Sequence, residues 1–211
     1  MVRLALTCIL VTAASAEIID RVAVSVGNQI ITSDQIADEI RVTAFLNHVP
    51  PIFSRAEKRK AADRLIEQTL IRREIDLSHY PLPSPEEADS MLQGVQKDFP
   101  NGEEFLKTLD RYDITEAVLR QHLLWQLTTL RFIDERFRPS VVISDDDVHE
   151  AYDQQVEKLK SENASQIPTY ETLRPKLEAA LTDERVDQAL DRWLGDARRQ
   201  VDIRFRDGAF Q

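Results

Sequence analysis

Apolar residues recur along most of the chain at three- and four-residue steps, and short alternating stretches occur only near its two ends. Near the start, Val22, Val24 and Val26 alternate with Ala23 and Ser25, Gly27-Asn28 supplies turn chemistry, and Gln29-Ile30-Ile31-Thr32 returns. This predicts a short hairpin. Thr32 or Ser33 can then cap a helix from about Asp34 to Asn47, with Ile36, Ile40, Thr43 and Ala44 on its buried face. The segment His48-Val49-Pro50-Pro51-Ile52-Phe53 breaks it. Ser54 with Glu57 makes a capping box for a long helix to about Ser78, striped by Ala62, Leu65, Ile66, Thr69 and Leu70.

Ser84-Pro85-Glu86-Glu87 combines a cap, a first-turn proline and an N3 acid, opening a helix to about Asp98. After Phe99-Pro100-Asn101-Gly102 comes a short helix holding Phe105, Leu106 and Leu109. Asp113 with Glu116 predicts the start of a helix from Ile114 to about Arg138, with Leu119, Leu123, Leu127, Leu130 and Phe137 on one stripe. Ser144-Asp145-Asp146-Asp147 caps the next, to about Lys160, and Ser161 to Pro168 is a polar connector. From Thr169 a last helix carries Leu173, Leu177, Val186, Leu190, Trp193 and Leu194, with Pro175 expected to kink its first turns. Val201 to Arg206 alternates apolar and charged residues and predicts a strand.

A lone strand must pair, and the hairpin is its partner. The expected architecture is therefore mostly α, a multi-helix module whose small sheet joins the N-terminal hairpin to the C-terminal strand. One domain should span 17–211, with a helical core over 33–160 and the helix and strand of 169–206 packing back on the N-terminal part. The composition agrees: 5 glycines and 7% aromatic residues suit helices better than a barrel or sandwich with many turns.

Residues Met1 to Ala16 add a compartment. A basic start at Arg3, an apolar stretch from Leu4 to Val11 and the small-residue exit Ala14-Ser15-Ala16 have the form of a cleaved signal peptide, with cleavage specified by Ala14 and Ala16. The stretch is shorter than the roughly 20 residues that cross a bilayer, so stable membrane insertion is not expected. The single Cys8 lies inside the leader, leaving the exported chain without a disulfide, thiol catalysis or Cys-ligated zinc. A net charge of −10 with interspersed basic residues argues against nucleic acid as a partner.

The run Asp20-Arg21-Val22-Ala23-Val24-Ser25-Val26-Gly27-Asn28-Gln29-Ile30-Ile31-Thr32-Ser33-Asp34, the helix entry Ile143-Ser144-Asp145, and the final helix Arg185-Val186-Asp187-Gln188-Ala189-Leu190-Asp191-Arg192-Trp193-Leu194 before a strand resemble the SurA family. Its members are periplasmic chaperones in which the two chain ends form one helical peptide-binding module, similar in plan to the trigger factor chaperone domain, around inserted parvulin prolyl isomerase domains. The resemblance spans the mature chain and concerns a scaffold. Where the family inserts a parvulin domain, this chain has only Ser161 to Pro168. The resemblance thus implies an ATP-independent periplasmic holdase for unfolded polypeptides, outer-membrane proteins among them, with no isomerase activity and no cofactor. Two alternatives stay open: an adaptor for one folded partner or for its own copy as a homodimer, and a degenerate isomerase.

Other chemistry is weaker. Asp145-Asp146-Asp147 suits a helix cap better than a calcium loop. His48, His79, His122 and His149 lack metal-ligand spacing, so no metal site and no catalytic residue is assigned. The basic run Arg55, Lys58, Arg59, Lys60 and Arg64, continued by Arg72 and Arg73, could hold an acidic client segment or anionic lipid, but interleaved acids favour a solvated face. Trp125 and Trp193 sit on apolar stripes and are expected in the core. Apolar residues on interrupted segments are the better client-binding candidates: Val49, Pro50, Pro51, Ile52 and Phe53 on one loop, and Phe99, Phe105 and Leu106 flanking another. The bland counterpart is that both loops fold back on the core.

Overall fold

The computed structural model describes residues 21–78, 80–162 and 166–211. The expected signal peptide with its Ala14 and Ala16 exit, Cys8, His79 and the middle of the 161–168 connector lie outside the described residues.

Strands β1 (Val22–Val26) and β2 (Gln29–Thr32) form the expected hairpin. Gly27 turns it at φ +58°, and its N–H donates to the Asp202 carbonyl at 2.9 Å. A Cβ at this position would stand 3.3 Å from Val201 Cγ1, so the turn also needs glycine for close approach. The C-terminal β3 (Ile203–Phe205) pairs antiparallel with β1, giving the order β2-β1-β3. The hairpin departs from simple alternation in one respect. A register shift between Val22 and Val24 turns Ala23 and Val24 both inward and leaves Val22 exposed.

The helices are α1 (Ser33–Leu46), α2 (Arg55–Ser78), α3 (Pro85–Gln96), α4 (Gly102–Arg111), α5 (Glu116–Arg136), α6 (Asp145–Ser161) and α7 (Tyr170–Arg199). Reciprocal capping boxes close at Thr32/Gln35, Ser84/Glu87 and Ser144/Asp147. The start of α5 differs from the sequence expectation. Asp113 does not cap it; the Thr115 hydroxyl accepts from the Val118 N–H at 3.2 Å. Asp113 instead adopts φ +54° just past α4, with Ile114 N–H donating to the Leu109 carbonyl and Asp113 N–H to the Asp110 carbonyl. This closure draws Ile114 into the core, so α5 begins two residues later. His48, also at φ +54°, closes α1 in the same way. Pro175 lies within one continuous α7.

Three apolar cores result. The first joins the sheet, Ile36 and Ile40 of α1, Ala61, Ala62, Ile66 and Leu70 of α2, and Phe210 near the C-terminus. The second joins Val42 and Phe45 of α1 to Leu92, Phe105, Leu109, Leu119 and Leu123. The third joins Ile71 and Ile75 of α2 to Phe132, Phe137, Val186 and Leu194, with Trp125 and Trp193 packed against it. Each of α1 and α5 therefore serves more than one set of neighbours. That is why the α5 stripe turns: Thr128 and Phe132 face inward where the spacing predicts Leu127 and Leu130, and Leu130 is 59% exposed. Helix α6 packs chiefly on α7 and buries only Val148.

Candidate functional site

The closure of α1 through His48 aims the next residues away from the body. Val49, Pro50, Ile52 and Phe53 are exposed, Ile52 by 62%, and Pro51 is half-buried. Prolines deny this loop two backbone donors, so it cannot join a sheet or continue the helix. The Arg41 guanidinium lies 5.7 Å from the Phe53 ring centroid.

The second candidate segment divides. Phe105 is 1% exposed and belongs to the core instead of a client-binding surface, whereas Phe99 is half-buried and packs against that core. Phe99 stacks on Phe45 at 5.7 Å and meets the Phe105 ring edge-on at 5.4 Å, and Phe45 also contacts Tyr112. The aromatic cluster exists because α4 presents Phe105 and Leu109 on one face four residues apart, and that face is the one against α1. Leu106, one position round the helix, is 56% exposed.

Between α1, α2, α5 and the hairpin lie two adjoining cavities that single-residue patterns do not announce. The larger, about 690 Å³, is lined by Ile30 and Ile31 of β2, Leu65, Gln68, Arg72, Arg73 and Leu77 of α2, and Val201. The smaller, about 390 Å³, is lined by Asp38 and Val42 of α1, Leu65, Gln68 and Arg72 of α2, and His122 and Trp125 of α5. Gln35, Leu65, Gln68 and Arg72 border both. Arg41 links this groove to the loop, because it pairs with Asp38 at 3.2 Å while lying over Phe53.

Glu39 is the group whose burial most needs explanation, since its side chain is only 5% exposed. Arg64 Nε donates to Glu39 Oε1 at 2.6 Å, the Thr43 hydroxyl donates to the same oxygen at 3.4 Å, and His122 Nδ1 lies 3.3 Å from Oε2. The Gln126 side-chain amide stands 3.2 Å from His122 Nε2. With that amide donating to Nε2, the imidazole keeps its proton on Nδ1, facing Glu39. Burial works to raise the Glu39 carboxyl, but its contacts with His122 and Arg64 outweigh burial and hold it below the ordinary carboxylate value. Asp38 goes the other way, raised chiefly by burial. His122 thus has a structural partner on α1. Among the described residues, no group of three or more His, Cys, Asp or Glu is arranged to hold a metal ion.

The basic run of α2 also divides. Arg59 lies 3.4 Å above the Phe205 ring centroid, Lys58 Nζ donates to the Gln211 carbonyl at 2.7 Å, and Arg64 holds Glu39. These residues bind the C-terminal strand and the α1 interface. Asp147 of the acidic triplet accepts from the Ser144 N–H at 2.8 Å and pairs with Arg185, which is the capping role.

No described helix is long and apolar enough to cross a membrane. No protein-family model and no curated protein matches the chain.

Proposed function

We propose that this chain is an ATP-independent periplasmic holdase of the SurA type, which shields unfolded exported polypeptides, outer-membrane proteins among them, and has no prolyl isomerase activity. The observation that carries the reading is the outward display of Val49, Ile52 and Phe53, linked through Arg41 to an open groove, on a body whose three cores do not include them. Large apolar side chains kept in water by a proline-bearing loop favour contact with other apolar chains, at about 25 cal/mol per Å² buried. Such contact is non-directional, which gives broad tolerance of client sequence and modest affinity. The passage from α6 to α7 occupies residues 162–169, too few for an inserted catalytic domain.

The test is suppression of aggregation when a chemically denatured outer-membrane protein is diluted into the purified protein at low molar ratio. Wild type should suppress, and an Ile52→Ser, Phe53→Ser variant that keeps its helical circular dichroism should suppress less. Suppression by neither, together with tight binding to one folded partner, would replace this reading with that of a dedicated adaptor. Turnover of a Pro-containing tetrapeptide above buffer in a protease-coupled assay would return the isomerase reading.

A further inference from the structure

We infer that the groove between the hairpin, α1, α2 and α5 seats an extended stretch of unfolded polypeptide and selects one carrying an acidic side chain between apolar ones, with Arg72 as the carboxylate anchor. The inference rests on the holdase reading and adds a client chemistry to it.

Arg72 occupies the wall common to both cavities. Its guanidinium lies 4.9 Å from the Trp125 ring centroid, and among the described residues it enters no ion pair and no side-chain hydrogen bond. Its place over an aromatic face restrains the guanidinium without using up its N–H donors. That is the arrangement that grips a carboxylate through two parallel hydrogen bonds. Arg73, the next residue, lines the larger cavity and is likewise without an ion pair.

The acids near the groove do not fill this role. Glu39 is held by Arg64 and His122, Asp38 by Arg41, and Asp76 lies one turn further along α2 without reaching either arginine. Gln68, half-buried one turn before Arg72, has no hydrogen bond from its side-chain amide among the described residues. A half-buried amide with a free donor and acceptor matches the main chain of a segment whose own backbone groups are unpaired, as in an unfolded client and unlike a folded partner's surface. Leu65 and Trp125 beside it, and the exposed Ile30 and Leu77 at the larger cavity, supply the apolar seats on either side.

The experiment uses two fluorescent decapeptides, acetylated and amidated, identical in alternating Leu and Ser except for one central Glu or Gln. Binding to the full chain is read by anisotropy at low salt. The Glu peptide should bind about tenfold more tightly than the Gln peptide, and added salt should erase most of the difference. Arg72→Gln should bind both alike while keeping its circular dichroism, because Arg72 is exposed and its contact with α5 is a surface approach to the Trp125 ring. Gln68→Met should weaken both peptides equally.

Equal binding of the two peptides to wild type, binding of neither, or a Glu preference that survives in Arg72→Gln overturns the inference. A dimer by light scattering that Arg72→Gln abolishes, with no peptide bound, overturns it in favour of a second copy as occupant. Aggregation suppression is measured on the same preparations, so the holdase reading stands or falls separately: suppression without a Glu preference sinks only the groove assignment, and a Glu preference without suppression sinks only the holdase.

Discussion

The body and the arm of this molecule are joined by different forces. In the body, α1, α2, α5 and the sheet share three apolar cores, with Phe45, Phe105 and Phe132 each 1% exposed. In the arm, α6 and the first half of α7 fully bury Val148, leave Val156, Leu159, Leu173 and Leu177 half-buried, and are also joined by polar and aromatic contacts. Tyr170 stacks on His149 at 4.2 Å, Arg174 pairs with Asp145 at 3.0 Å, Arg185 pairs with Asp147 at 2.6 Å, and the Tyr152 hydroxyl donates to the Pro168 carbonyl. Apolar burial is strong and non-directional, whereas exposed ion pairs each contribute about 0–1 kcal/mol. The body should therefore unfold as one cooperative unit, and the arm should open from it at lower cost.

The sharpest way to break the contrast is Phe132→Ala. Its ring meets Tyr80, Phe137 and Trp193 within 5.3–5.8 Å, and its loss should cost about 3–5 kcal/mol. A urea melt should show the midpoint falling for the whole helical signal together. A small, local effect would mean that the third core is not shared by the body.

Next comes Glu39, which ties three helices of the body by polar contacts. Glu39→Ala leaves Arg64 and His122 without their shared carboxylate and should cost about 3 kcal/mol. The sign of the pH dependence follows from the lowered carboxyl. Its unfolded value is 4.5 and its folded value lies below that, so between the two the unfolded chain binds more protons. The contribution is thus complete above about pH 4.5 and is lost as pH falls through the folded value. Urea midpoints of wild type and Glu39→Gln at pH 7 and pH 4 should converge toward the acid side. Equal acid sensitivity of the two proteins would place the effect on other groups.

The smallest change probes the arm. Arg185→Met removes its pair with Asp147 and its bond to the Val142 carbonyl, and should lower global stability by about 1 kcal/mol or less. Amide exchange in α6 should nevertheless quicken while exchange in α2 and α5 does not. Faster exchange throughout would show arm and body to be one unit.

The helices and the sheet that joins the chain ends were legible because each leaves a local signature: three-and-four spacing, capping boxes, and a lone C-terminal strand that must pair. Local signs misled where two elements compete for one residue. Asp113 has the spacing of a cap, but Ile114 is drawn into the second core and takes Asp113 into the turn that ends α4. Phe105 follows a loop that resembles an exposed tip, yet the amphipathic face of α4 turns it inward. The proline loop was legible because its exposure follows from its backbone. The groove was not, because Ile30, Arg72 and Trp125 lie on a strand and two helices and acquire their relation only in three dimensions. Glu39 illustrates the same limit, since a carboxylate on a helix face looks solvated until its partners on α2 and α5 are known.

The middle strand of the sheet pairs with residues from both ends of the chain: Val24 stands opposite Ile31 a few residues away and opposite Phe205 almost a full chain length later. As the chain is synthesised from its N-terminus the hairpin can form at once, but β1 keeps one edge open until residues 203–205 are available. Closing so long a loop makes this the slow, late contact of folding. The first core, which includes Phe210, therefore cannot be sealed until the chain has been made as far as that residue.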